Sequence, residues 1–285
     1  MSRRPQGWSE QRTLLTRDGV PLSAALRLPP GPPVTRLAYV LAHGFSGTWR
    51  SDGLGRVASV LSSGPDAAAV VAFDFRGHGR SGGVSTVGDL EVWDVEAAVG
   101  WARLLGYERV ATIGFSMGAS VVVRHAALVR GVDAVVAVSG PARWFYKGTP
   151  PMRRLHLVVE RPAGRLVART LLRTRVGSRR WDPLPEEPRA VAGRIAPTPL
   201  LVVHGEQDAY FPLDHPRQLA AAGGPTAELW VEPGFGHAEN AIDADLTARI
   251  AAWVRAAVDV GAPVDGRAAV GEPLARREPE QAGTS

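Results

Sequence analysis

Uninterrupted apolar runs alternate along this chain with segments whose apolar positions recur every three to four residues. Residues 37–42 (Leu-Ala-Tyr-Val-Leu-Ala), 68–73, 134–138 and 200–204 carry no Asp, Glu, Lys or Arg. Runs of that length and composition fit strands covered on both faces of a parallel sheet. Residues 110–113 and 227–231 complete the set of parallel candidates. Between them, helical spacing appears in residues 53–63 through Leu54, Val57, Ala58 and Leu61, and again through Val92, Val95, Val99 and Ala102. Residues 119–130, 214–222 and a last segment bearing Leu246, Ile250, Trp253 and Ala257 follow the same rule.

The punctuation supports the same division. Residues 11–16 and 21–28 read as a starting hairpin turned at Asp18-Gly19, followed by a rigid Pro-Gly loop at 29–33. Thr86 and Asp89 fit a capping box for the second helix, and Gly106 fits its end. Asp214, with Pro216 in the first turn, and Asp243 fit the N-caps of the last two long helices.

Strands alternating with helices predict an α/β chain with a mostly parallel, doubly wound sheet. The alternation stops at residues 141–197, which hold Trp144, Phe145, Tyr146, many arginines and several prolines. Short helices fit residues 152–160 and 165–174 within it. The segment follows a core strand directly, and loops at the carboxyl ends of strands border the ligand crevice of open α/β sheets. It is therefore expected to be a small cap inserted between a first core part, residues 1–140, and a second, residues 198–260. Residues 261–285 lack periodicity and are rich in Pro, Gly, Arg and Glu, so a disordered tail is expected there.

The chemistry concentrates where strands end. Gly114-Phe115-Ser116-Met117-Gly118 joins a strand to a helix, which is the nucleophile-elbow pattern. A serine hydroxyl needs a base, and the base needs a partner that fixes its tautomer. His237 stands in a Gly-rich loop after the last strand, and Asp208 in the loop after the preceding strand, with Glu206 as its nearest competitor. Parallel strands bring these loops to one sheet edge, and Ser, Asp, His is the chain order expected on such a sheet. Two backbone donors are needed for a developing oxyanion. Met117, after the serine, and Phe45, in the loop after residues 37–42, are the expected pair. The other histidines fit structural roles: His125 within a helix, His156 and His215 away from strand ends, His204 fixing a loop, and His43 and His78 holding turns.

Composition changes this picture little. The 285 residues are 45% hydrophobic and 21% charged, ordinary for a globular chain. There is no cysteine, which excludes disulfides, thiolate chemistry and Cys-based metal sites. The formal net charge of +5 is carried almost wholly by arginine, Lys147 being the only lysine. No nucleic-acid-binding motif accompanies it. No apolar segment follows Arg3-Arg4, and no run is long enough to span a bilayer, so a cytoplasmic protein without stable membrane association is expected. No cofactor or metal is expected, the partner is a small-molecule substrate, and oligomeric state stays open.

His43-Gly44-Phe45, the run from Asp74-Phe75-Arg76-Gly77 to His78-Gly79-Arg80-Ser81, the Ser116 elbow, His204-Gly205-Glu206-Gln207-Asp208 and Gly236-His237 together resemble the α/β-hydrolase superfamily, over residues 10–258. The nearest likeness is its serine-hydrolase branch of small esterases, monoacylglycerol lipases and serine aminopeptidase-like enzymes. The resemblance implies Ser116 as nucleophile, His237 as base, Asp208 as the triad acid and an acyl-enzyme route to ester cleavage. Serine at the elbow, rather than aspartate, argues against the dehalogenase and epoxide-hydrolase branches. Ala119 stands after Gly118 where many lipases carry a further glycine. A thioesterase or acyltransferase with the same triad, and a non-catalytic binding scaffold, remain as alternatives.

Overall fold

The computed structural model describes residues 7–31, 35–64, 66–178 and 181–258. The expected C-terminal tail lies outside these residues. Eight strands form one sheet: β1 (Glu10–Leu15), β2 (Pro21–Arg27), β3 (Leu37–Ala42), β4 (Ala69–Phe73), β5 (Arg109–Phe115), β6 (Ala134–Val138), β7 (Leu200–Gly205) and β8 (Ala227–Glu232), in the spatial order β1-β2-β4-β3-β5-β6-β7-β8. The β1–β2 and β2–β4 pairs are antiparallel, and every other pair is parallel. The starting hairpin turns where expected, with Gly19 at φ +78° and Leu15 opposite Pro21.

Full burial of β3, β4, β6 and β7 explains their unbroken apolar composition. The helices α1 (Asp52–Leu61), α2 (Val92–Leu104) and α3 (Met117–Leu128) follow β3, β4 and β5. Between β6 and β7 run α4 (Pro150–Glu160), α5 (Pro162–Thr170) and the short α6 (Pro188–Val191). The chain closes with α7 (Asp214–Gly223), the single turn α8 (Ala238–Ala241) and α9 (Ala244–Val258). One apolar layer gathers Val95, Ala98, Val121, Val122, Val191 and Leu219, from α2, α3, α6 and α7. The other gathers Leu54, Val57, Leu246, Ile250 and Val254, from α1 and α9. The sheet is thus wound on both faces.

Several local expectations need correction. The proposed capping box does not form: α2 begins at Val92, and Thr86 Oγ1 instead donates to Glu91 Oε2 at 2.6 Å. The buried Glu91 carboxylate also accepts from Ser85 Oγ, at 2.7 Å, and from the N–H groups of Thr86, Val87 and Gly88. Three turn N–H groups plus two hydroxyls outweigh the single bond a cap supplies, so the acid folds the loop rather than starting the helix. Asp214 lies inside α7 and binds Arg143 Nη2 at 2.6 Å instead of capping. Asp243 does cap α9, accepting from Leu246 N–H at 2.8 Å. Helices α4 and α5 each start earlier than expected because each opens on a proline, a residue suited to the first helical turn.

The β6–β7 connection is tied down at both ends of the sheet's carboxyl edge. Thr149 Oγ1 donates to Tyr210 O at 2.8 Å, and the Tyr146 ring packs on His215 and Phe211. On the other side, Ser85 and Val176 form an isolated parallel bridge, and Arg175 N–H donates to Gly77 O at 2.7 Å.

Candidate active site

Strand β5 is buried from Val110 to Phe115, and α3 is buried from Met117 to Ala127. Between them Ser116 alone is not buried. Its backbone is at φ 53°, ψ −114°, a conformation that costs a non-glycine residue about 1–3 kcal/mol. The turn is tight enough to demand both glycines. A Cβ on Gly114 would stand 2.2 Å from Gly118 O, and a Cβ on Gly118 would stand 2.2 Å from Ala42 O. Ser116 N–H donates to Val138 O at 2.9 Å, anchoring the turn to β6. The N–H groups of the first α3 turn point back toward the serine, with the positive end of the helix dipole.

His237 Nε2 lies 3.0 Å from Ser116 Oγ, and its Nδ1 lies 2.8 Å from Asp208 Oδ2. The three residues come from the ends of β5, β7 and β8, the first and last of them 121 residues apart. Asp208 Oδ1 accepts from the N–H groups of Tyr210 and Phe211, at 2.7 and 3.1 Å. Its carboxylate is almost fully enclosed, and burial pushes its pKa up. The hydrogen bond and charge of His237, with the Phe211 N–H, outweigh burial and hold it below the usual carboxylate range. Asp208 therefore stays ionised and keeps the His237 proton on Nδ1, leaving Nε2 free to accept from the serine. The Tyr210 ring stacks on the His237 ring at 4.1 Å, restricting its rotation. Glu206 is exposed and makes no bond to His237, which separates it from Asp208.

The loop after β3 meets this line from the side. A Cβ on Gly44 would stand 3.3 Å from Ser116 Cβ, so the loop backbone passes directly against the serine. Phe45 follows, and neither its N–H nor that of Met117 meets an acceptor among the described residues. His43 holds the loop. Its Nδ1 lies 2.7 Å from Gly44 O, and its Nε2 accepts from Phe75 N–H at 3.0 Å, which assigns the proton to Nδ1. Burial pushes His43 down to about 4, so it is neutral and unfit to exchange protons near pH 7. His78 packs edge-on against His43 and Phe45, and burial likewise lowers it to about 4. His204 Nε2 donates to Phe211 O at 2.8 Å and fixes the Asp208 loop.

Two residues absent from the sequence reading complete the frame. The buried Glu239 carboxylate accepts from Gly44 N–H at 3.0 Å, linking the His237 loop to the loop that carries Phe45. Ser139 Oγ, at the end of β6, accepts from Ala238 N–H at 3.1 Å. Ser46, Ser116, Ser139 and Ala238 all hold positive φ without being glycine, a concentration of strain of the kind found at functional sites. The signal for Glu239 was its place two residues after His237; an acid there is unremarkable until its partner is known.

The sequence model of the Alpha/beta hydrolase family matches residues 39–260. Among solved structures, the esterase Pf2001 of Pyrococcus furiosus superposes with a TM-score of 0.68 at 23% identity, over 88% of this chain and 91% of that one. A Xanthomonas campestris protein described as a serine hydrolase without lid gives 0.58 at 20% identity, over 91% of this chain and 97% of its own. Est1E of Butyrivibrio proteoclasticus, solved with ferulic acid bound, gives 0.56 at 21%, over 86% and 97%. No curated protein sequence matches this one.

Proposed function

The chain belongs to the alpha/beta hydrolase family, and we propose that it is a serine hydrolase that cleaves carboxylic esters of small or medium size through an acyl-enzyme. The observation that carries this reading is the unbroken hydrogen-bond line from Ser116 Oγ through His237 to the enclosed Asp208 carboxylate, at 3.0 and 2.8 Å. Ser116 attacks the ester carbonyl as His237 Nε2 takes its proton. Asp208 stabilises the imidazolium without itself accepting a proton. The oxyanion is received by the Phe45 and Met117 N–H groups. His237 then protonates the departing alcohol, and a water activated by the same imidazole releases the acid.

Residues 141–197 act in this proposal as a cap. Two ties support it: Tyr146 packs on Phe211, whose ring lies 5.8 Å from that of His237, and residues 175–177 are stitched to the loop of residues 77–85. The aromatic side chains Trp144, Phe145 and Trp181 pack together in the same connection and offer apolar cover to an acyl or aryl group. Turnover of p-nitrophenyl esters of graded acyl length, set against the matching acyl-CoA thioesters, tests the reading. Oxygen esters are expected to be preferred. Turnover confined to the thioesters would overturn the carboxylesterase assignment.

Glu239 has a distinct expected effect. Glu239→Ala frees the Gly44 peptide and is expected to lower kcat about tenfold with little change in KM, a fraction of the 10²–10³ lost when an oxyanion donor is removed outright. Glu239→Gln keeps an acceptor and is expected to recover most of the rate. Equal loss in both variants would mean that the carboxylate does more than hold the loop.

A further inference from the structure

Helices α4 and α5 fold against each other as a hairpin, with Gly164 where they cross: a Cβ there would stand 2.3 Å from Leu157 O. Beyond that mutual contact they bury little. Met152 is the one buried residue of α4, and Ala168 that of α5. Apolar side chains are left in solvent along the pair: Leu157 is 56% exposed, Leu166 61% and Leu171 77%. Helical spacing places Ala163, Leu166, Val167 and Thr170 on the side of α5 opposite Ala168.

The charge on the hairpin is as unusual as its exposure. Arg153, Arg154, Arg161, Arg165, Arg169 and Arg173 fall within residues 150–173, and none forms an ion pair with a described residue. Elsewhere arginines are commonly matched, as Arg17 is by Glu96, Arg103 by Asp133, Arg194 by Glu186 and Arg249 by Glu232. The only acid in that stretch, Glu160, is already taken by Lys147 and His156. No helix among the described residues is long and apolar enough to cross a membrane.

We propose that the α4–α5 hairpin docks this protein reversibly on an anionic lipid surface, its leucines entering the headgroup boundary and its unpaired arginines meeting lipid phosphates. On α5, helical spacing sets Arg165 and Arg169 beside the exposed stripe of Ala163, Leu166 and Val167, and an apolar stripe flanked by basic residues is the pattern of helices that lie in a membrane interface. A protein partner would have to set an acid against each of these six arginines, whereas an anionic lipid surface presents phosphates across the whole face. A second copy of the chain would bring two unpaired arginine clusters together, so self-association through this face is opposed by charge.

The test is flotation of the full chain with vesicles of mixed phosphatidylglycerol and phosphatidylcholine, beside vesicles of phosphatidylcholine alone. It reads binding only, so it stands or falls independently of the hydrolase reading. Binding is expected to the anionic vesicles and to weaken as salt is raised. Neutralising a basic residue at such a surface lowers binding about fivefold, so Arg154→Gln/Arg161→Gln/Arg169→Gln is expected to lose about a hundredfold. Leu166→Ser/Leu171→Ser is expected to weaken binding with the arginines intact. Both variants change exposed positions and are expected to unfold at the wild-type midpoint, which checks that they are folded. Absence of wild-type binding at low salt, equal binding to both vesicle types, or wild-type binding by the triple variant would each overturn the proposal. So would self-association through this face in place of vesicle binding.

Discussion

His237→Ala is expected to lower kcat for a p-nitrophenyl ester by about 10⁵–10⁶-fold while the fold and its thermal midpoint stay intact. Triad members act as a unit, so removing the base costs nearly as much as removing the nucleophile. The structure offers no substitute. His43 is buried, neutral and committed to Gly44 and Phe75, and His204 is committed to Phe211. The Ser116→Ala/His237→Ala double variant is accordingly expected to be no slower than either single one. Asp208→Asn is expected to lose about 10⁴-fold, because an amide at Oδ2 favours the wrong histidine tautomer. Steady-state kinetics at saturating substrate separate these outcomes. Additive losses in the double variant would show that the two residues do not work in one step.

The second large effect lies outside the proposed chemistry. Arg76→Ala is expected to destabilise the fold by about 3–5 kcal/mol and to lower the unfolding midpoint by about 10 °C. Arg76 is 2% exposed, and its side chain spans two acids: Nε reaches Asp94 Oδ1 at 2.8 Å, and its two terminal nitrogens reach Asp18 at 2.8 and 3.0 Å. Asp94 is wholly buried, and burial drives its carboxyl up to about 7 even with the guanidinium present. Removing Arg76 leaves that carboxyl with only the Arg76 backbone N–H, at 2.8 Å, which alanine still supplies. Adding Asp94→Asn to Arg76→Ala is expected to restore part of the loss, since the buried group is then neutral. Thermal unfolding followed by circular dichroism measures both. A drop of no more than a degree or two in Arg76→Ala would show that the pair is not structural.

The central strands could be read in the sequence because they are covered on both faces, so burial wrote itself as an unbroken apolar run in β3, β4, β6 and β7, whereas β8, parallel but at the sheet edge, buries none of its residues. The Ser116 turn could be read because close backbone approach admits only glycine at 114 and 118. Asp208 and His237 could be read together because parallel strands carry their carboxyl-terminal loops to one edge of the sheet, where the two side chains meet at 2.8 Å. Asp214 and Glu239 bind groups set by tertiary folding rather than by local spacing: Asp214 an arginine of the β6–β7 connection, Glu239 a peptide 195 residues away. Glu91 differs: its partners, Ser85 to Gly88, are local, but they form an irregular turn that no helical or strand spacing marks. In the β6–β7 connection the two helices were legible to within a few residues, but not what they pack on, because α4 and α5 bury only Met152 and Ala168.

A fluorophosphonate reagent reports on the activated serine itself and needs no knowledge of the substrate. Incubated with the full chain at neutral pH, it is expected to add one phosphonyl group at Ser116, seen by intact mass and located by peptide mapping. Ser116→Ala is expected to take up none, and His237→Ala very little. An unlabelled wild-type chain, or labelling that persists in Ser116→Ala, would contradict the assignment of Ser116 as the nucleophile.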